Sequence, residues 1–208
     1  MNNIEIQKQL PLLFVAVAVG IGMFLLGQSF ASVDMPNDAE IGFAQDMSVH
    51  HQQAIEMSFI IREKTDNQEI RGFAFDIINT QANQRGMMLG WLDLWQQPMT
   101  NSDEPMAWMM DEMSSGGHSK MMQDFTPGAY MPGMATSEEM KTLANTSGVQ
   151  AEQLFLELMI RHHQGGVMMA DGVIQRSDNE TITRLAQTMV NGQQAEIDYM
   201  NELLKNTN

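Results

Sequence analysis

The sequence predicts an all-α fold, a four-helix bundle built from two repeated helical hairpins joined by a long methionine-rich crossover. Three observations carry this reading. The chain aligns with itself without a gap, Ala39–Leu92 against Ala151–Leu204, so that Phe43, Met47, His50, His51, Gln52 and Met57 recur as Phe155, Met159, His162, His163, Gln164 and Met169. Within each copy the apolar positions step by three and four residues, the spacing of one face of a helix. Midway through each copy stands a polar break, "TDNQE" in the first and "SDNE" in the second.

The elements follow in order. Lys8 precedes the apolar run Leu10–Gly27, 18 residues long, and Ser29-Phe30-Ala31 offers small residues of the kind a signal peptidase reads. Residues 1–31 are therefore expected to be either a cleaved signal peptide or a retained membrane anchor, with everything after about Ser32 outside the cytoplasm. The main domain is then 32–208, with repeat one at 39–92, the crossover at 93–150 and repeat two at 151–204.

In repeat one, Phe43, Met47, His50, Ala54, Met57 and Ile61 form the seam of a first helix, and Ile70, Ala74, Ile77, Gln81, Gln84, Met88 and Trp91 that of a second. Thr65 with Gln68, and Ser177 with Glu180, have the spacing of capping boxes that would start the second helix of each hairpin. Folding the first hairpin about Asp66 sets His50 opposite Gln81, and Met47 opposite Gln84 or Met88. Folding the second about Asp178 sets His162 near Gln193, and Met159 near Glu196 or Met200. Polar seam residues so placed could orient an imidazole.

Residues 93–150 break the pattern with turn chemistry: "QQPMTNSDEP", "SSGGHSK" and "TPGAYMPGM". One short amphipathic candidate runs through Met106, Met109, Met110 and Met113, and taken alone it reads as a packed helix face; Met131-Pro132-Gly133-Met134 reads as a turn that docks its ends. The stretch nonetheless holds more methionines than a loop-rich crossover needs for packing.

Composition narrows the function. With 26 acidic against 11 basic residues the net charge is −15, so no basic stripe is available to displace counterions from phosphates, and a nucleic-acid partner is excluded. There is no cysteine, hence neither disulfide nor thiolate site, while there are 22 methionines, whose neutral thioether is a soft donor suited to Cu(I). No Glu-x-x-His pair appears for a di-iron centre, and there is no His-Glu-x-x-His zinc motif, Gly-rich phosphate loop or Gly-x-Ser-x-Gly elbow.

What remains is the duplicated His pair with its methionine flanks. Met47 lies one helical turn before His50 and His51 and can share an ion with one of them; Met159 stands likewise to His162 and His163. Met57 and Met169 are two turns away along their own helices, and are expected at another level of the bundle. Met109, Met113 and Met121 with His118 would add labile, exposed capture sites in the crossover. A seam histidine bonded to a seam glutamine would also make a metal-free polar layer.

"FLELMIRHHQGGVMMA", preceded by "MPGMATSEEM", and the weaker "FAQDMSVHHQQAIEMS" resemble a bacterial domain-of-unknown-function family with duplicated Met-x-x-His-His motifs, whose members include a periplasmic copper-binding protein of cyanobacteria. The resemblance spans about residues 39–204. It implies a ferritin-like bundle, export, and copper binding for resistance or sequestration, with Met47, His50, His51, Met57, Met159, His162, His163 and Met169 as the matching positions. The second-helix Glu196-Ile197 reads Gln84-Arg85 in the first copy, so the halves are not equivalent. The expectation is thus a non-enzymatic, extracytoplasmic copper-binding protein, favouring Cu(I), with Cu(II) accessible at the histidines and silver as a mimic. A copper redox or electron-transfer protein and a metal-free envelope interaction module are the alternatives.

Overall fold

The computed structural model describes residues 35–101, 104–109 and 129–206. These hold five α-helices: α1 Asp38–Lys64, α2 Gln68–Leu94, α3 Ser137–Asn145, α4 Gly148–Ile174 and α5 Glu180–Asn206, with a single 3-10 turn, Ala107–Met109. The four long helices are each 27 residues and form the two expected hairpins. Among the described residues there are no strands, and no helix is long and apolar enough to cross a membrane. The run Leu10–Gly27, and with it the export segment, lies outside the described residues.

The hairpins meet chiefly through α1 and α4, which run antiparallel. Two repeat-equivalent hydrogen bonds fix that direction. Thr65 at the end of α1 donates its hydroxyl to Glu152 at the start of α4, and Ser177, just beyond α4, donates to Glu40 at the start of α1 at 2.5 Å. Thr65 and Ser177 were expected to cap the next helix through a capping box. Their hydroxyls are instead recruited across the bundle by buried carboxylates, and Asn67 and Asn179 take over as acceptors for the first free amides of α2 and α5. True capping boxes stand at Asn37/Glu40 on α1 and Thr136/Glu139 on α3.

The core has two apolar halves. One gathers Phe43, Met47, Met88, Leu92, Met169 and Met189; the other gathers Met57, Ile61, Phe155, Met159, Ile197 and Met200. Because α1 and α4 are antiparallel, each half takes its flanking methionines from both repeats, Met47 with Met169 and Met57 with Met159. Met57 and Met169 were expected together at a level apart from Met47 and Met159, a grouping the antiparallel docking does not produce.

The described parts of the crossover are more helical and more buried than its composition suggested. Ser137–Asn145 is a helix where a loop was expected, and Met106, Met109, Met131 and Met134 are core residues. Met109, expected in an exposed capture site, is 6% exposed and its thioether packs on α4 at Gly172, where a Cβ would collide with it. Its segment is pinned by Asp46, whose buried carboxylate accepts from the Met106 amide at 2.8 Å and the Trp108 indole at 3.0 Å. The remaining crossover candidates, Met113, His118 and Met121, lie outside the described residues.

Candidate metal centre

Between the apolar halves lies a layer made by the two His pairs. All four imidazoles are buried, none more than 1% exposed. His50 and His162 face each other with ring centroids 3.8 Å apart and planes tilted by 35°, and His163 stands 6.3 Å from His162. The repeats thus do not make two separate sites along the bundle. Their histidines converge on one level, because α1 and α4 cross there.

Each ring is oriented through the same atom. His51 Nε2 donates to the Gln84 side-chain oxygen at 2.8 Å, and its equivalent His163 Nε2 donates to Glu196 at 2.6 Å. His50 Nε2 donates to the Pro132 carbonyl at 3.2 Å, and His162 Nε2 to the His50 carbonyl at 3.0 Å. Every acceptor is an oxygen, so each of the four rings carries a hydrogen on Nε2. Every Nδ1 is left buried with no hydrogen-bond partner. A bare imidazole lone pair, with the other ring nitrogen held by an oxygen, is the state in which histidine binds a metal.

The glutamine pairing expected from the hairpin turns is shifted. Gln81 makes no bond to His50; its amide is buried without a partner. The turn is short enough that Gln84 and Glu196 reach the layer from one helical turn further on, and they hold His51 and His163 rather than His50 and His162. The crossover supplies the partner that no helical spacing could show, Pro132 over His50. That approach depends on glycine. Gly133 has φ +77°, and a Cβ on Gly165 of α4 would collide with the Pro132 carbonyl.

Burial sets the electrostatics. His50 is pushed down to about 3, first by burial and then by repulsion from His51. His51 is pushed down to about 4, again mainly by burial, with the Gln84 bond opposing and His163 and Arg85 adding to the fall. His162 is held well below the ordinary imidazole range by burial and by its three neighbours. His50, His51 and His162 are therefore neutral near neutral pH and need release no proton to bind a cation.

Among the described residues no three His, Asp or Glu side chains gather in a way that would hold an ion by themselves. Imidazole and thioether are the donors nearest in sequence: Met47 and Met159 are fully buried one helical turn before the histidines. That set suits a soft ion of low coordination number better than Zn²⁺ or Mg²⁺.

Residues 40–204 match the family described as a domain of unknown function, DUF305. Among solved structures, a DUF305 protein assigned as secreted from Streptomyces coelicolor is 50% identical, with 81% of this chain and 93% of that chain covered and a TM-score of 0.70. A DUF305 fragment from Deinococcus radiodurans is 31% identical over 82% of this chain and 97% of that one, with a TM-score of 0.65. CopM in its Cu(I)-bound form is 23% identical over 80% of this chain and 96% of that chain, with a TM-score of 0.60, and shares the fold. CopM is also known with Cu(II) and with silver bound. No curated protein matches the chain.

Proposed function

The chain belongs to the DUF305 family, and from that membership we propose that it is an extracytoplasmic copper-binding protein that sequesters Cu(I) at the histidine layer, in the service of copper resistance. The observation that carries the proposal is the set of four buried imidazoles, each with Nε2 engaged and Nδ1 bare, between two methionine-rich apolar halves. CopM, which has the same fold, is known with Cu(I), Cu(II) and silver bound, and this supports the choice of ion. The secreted assignment of the Streptomyces coelicolor protein supports a place outside the cytoplasm, as does the apolar run before the bundle. Silver is read as a mimic of Cu(I), and Cu(II) as a weaker occupant that would use the histidines.

The role is read as binding rather than catalysis: the unpartnered Nδ1 atoms are buried in the core, away from any larger substrate. The test is anaerobic titration with Cu(I) against a competing chromophoric chelator, with Zn(II) as the control. Tight Cu(I) uptake with little Zn(II) binding is expected, and His50→Ala with His162→Ala, which removes two imidazoles, should weaken it by more than about tenfold, since the loss of even an outer partner of a ligand costs roughly 10–100-fold. Unchanged stoichiometry and affinity in that variant would overturn the assignment of the layer.

A further inference from the structure

The two seam glutamines that no histidine uses lie in a cleft between α2 and α5. Gln81 and Gln193, 2% and 5% exposed, are buried in it, and Thr188 and Gly192 stand on its exposed rim. Gln84 and Glu196, which hold His51 and His163, line it as well. Both polar atoms of the Gln81 amide, and the Gln193 oxygen, lack a hydrogen-bond partner in the protein. The cleft encloses about 40 Å³, room for two or three waters at roughly 10–15 Å³ each.

Its position follows from the packing. α1 and α4 hold the hairpins together, while α2 and α5 touch through Phe73 with Tyr199 and Glu69 with Tyr199. Phe73 and Tyr199 close one end with their rings 5.2 Å apart and the Tyr199 hydroxyl on Glu69; Met88 and Leu92 with Leu185 and Met189 close the other. The middle stays open at the level of the histidines. Elsewhere around that level the crossover covers His50 through the Pro132 carbonyl, between the buried Met131 and Met134. Gly166, one turn beyond His162 and His163, lets the Gln193 amide lie against α4, since a Cβ there would collide with its oxygen.

We propose that this cleft is the port through which a soft monovalent cation passes between solvent and the histidine layer. The inference rests on the metal-binding reading and adds a route to it. An ion leaving water loses its hydration shell at great cost unless other dipoles replace it. Water in the cleft, the free amide oxygens of Gln81 and Gln193 and the Glu196 carboxylate supply those dipoles in succession, ending beside the rings of His51 and His163. Water also answers the donor and the acceptor that Gln81 leaves unpaired, which an apolar plug would not. The cleft's two buried glutamines are repeat-equivalent positions, one from each hairpin.

The test is Gly192→Leu. No atom lies within 4 Å of a Cβ at this helical rim position, so the added side chain can cover the mouth without disturbing a histidine or glutamine. Two quantities are measured: the rate and equilibrium of Cu(I) transfer from a chromophoric chelator, and, in metal-free protein, deuterium exchange at the Cε1–H of His51 and His163 by mass spectrometry. Uptake should slow by about tenfold with equilibrium affinity unchanged, the signature of a barrier on the path, and ring exchange should slow with it. Gln81→Leu with Gln193→Leu should act in the same direction. Wild-type uptake and exchange rates in Gly192→Leu would overturn the port, as would a loss of affinity matching the loss of rate. If the unaltered protein takes up no Cu(I), the metal-binding reading falls, and the ring exchange still decides whether the cleft is the solvent path to the histidines.

Discussion

A buried imidazole has one nitrogen that must give a proton and one that must receive something, and the four core histidines satisfy the first demand only. Their charge state also links the layer to stability. An unfolded histidine takes up a proton near 6.5, whereas folded His50 and His51 resist protonation down to about 3 and about 4. Between those values the unfolded chain binds more protons, so stability is full above about pH 6.5 and is lost as pH falls through that window. Asp46, raised by its burial, acts in the opposite sense at lower pH and offsets a small part of the loss. The metal-free protein should therefore show a urea midpoint that is flat at neutral pH and falls steadily from about pH 6.5 to pH 4. A midpoint insensitive to pH in that range would mean the rings are not buried neutral. The sequence showed which residues would form this layer through their duplication and seam positions. It could not show Pro132 as the partner of His50, because that contact joins positions 82 residues apart and has no helical period.

The contacts between α1, α4 and the crossover decide whether the histidines meet. Gly165 lets the Pro132 backbone rest on α4, and Gly165→Ala should push that turn outward, free the His50 Nε2–H and destabilise the fold by about 1–3 kcal/mol, as overpacking against backbone does. Thermal or urea unfolding of this variant beside Gly192→Ala, which meets no neighbour within 4 Å and should be neutral or stabilising, separates crowding from any general effect of alanine. Thr65→Ala and Ser177→Ala each leave a buried carboxylate short of a donor, and each should cost roughly 1–3 kcal/mol by the same measurement. Helix positions were legible because period and polar breaks are local. The antiparallel docking of α1 on α4 was not, since Glu40 and Glu152 look like ordinary first-turn acids until their partners arrive from the other hairpin. Nor was α3: its capping box is in the sequence and Met140 and Leu143 stand one turn apart, yet nine residues within turn-rich sequence are too few for the period to stand out.

Taken together, the two repeats fold as near-equivalent halves around the histidine layer, and the crossover breaks the equivalence. It covers His50 and fills one apolar half with Met106, Met109, Met131 and Met134. The other asymmetry is chemical: His51 leans on a neutral amide and His163 on a carboxylate. Much of the methionine excess is thus core packing, as its adaptable side chain allows, and the thioethers that matter for an ion are those next to the histidines. The net charge of −15 concentrates cations around the bundle without choosing among them; choice belongs to the buried donor set.

The account stands on the bare Nδ1 atoms as the groups that take the ion. ¹⁵N nuclear magnetic resonance of the histidine side chains, before and after anaerobic addition of Cu(I), observes each ring nitrogen separately. The Nδ1 resonances of core histidines should move on loading while their Nε2–H groups stay protonated and in place. Tight uptake with every core Nδ1 unchanged, or with Nε2 losing its proton instead, would contradict the histidine layer as the copper site.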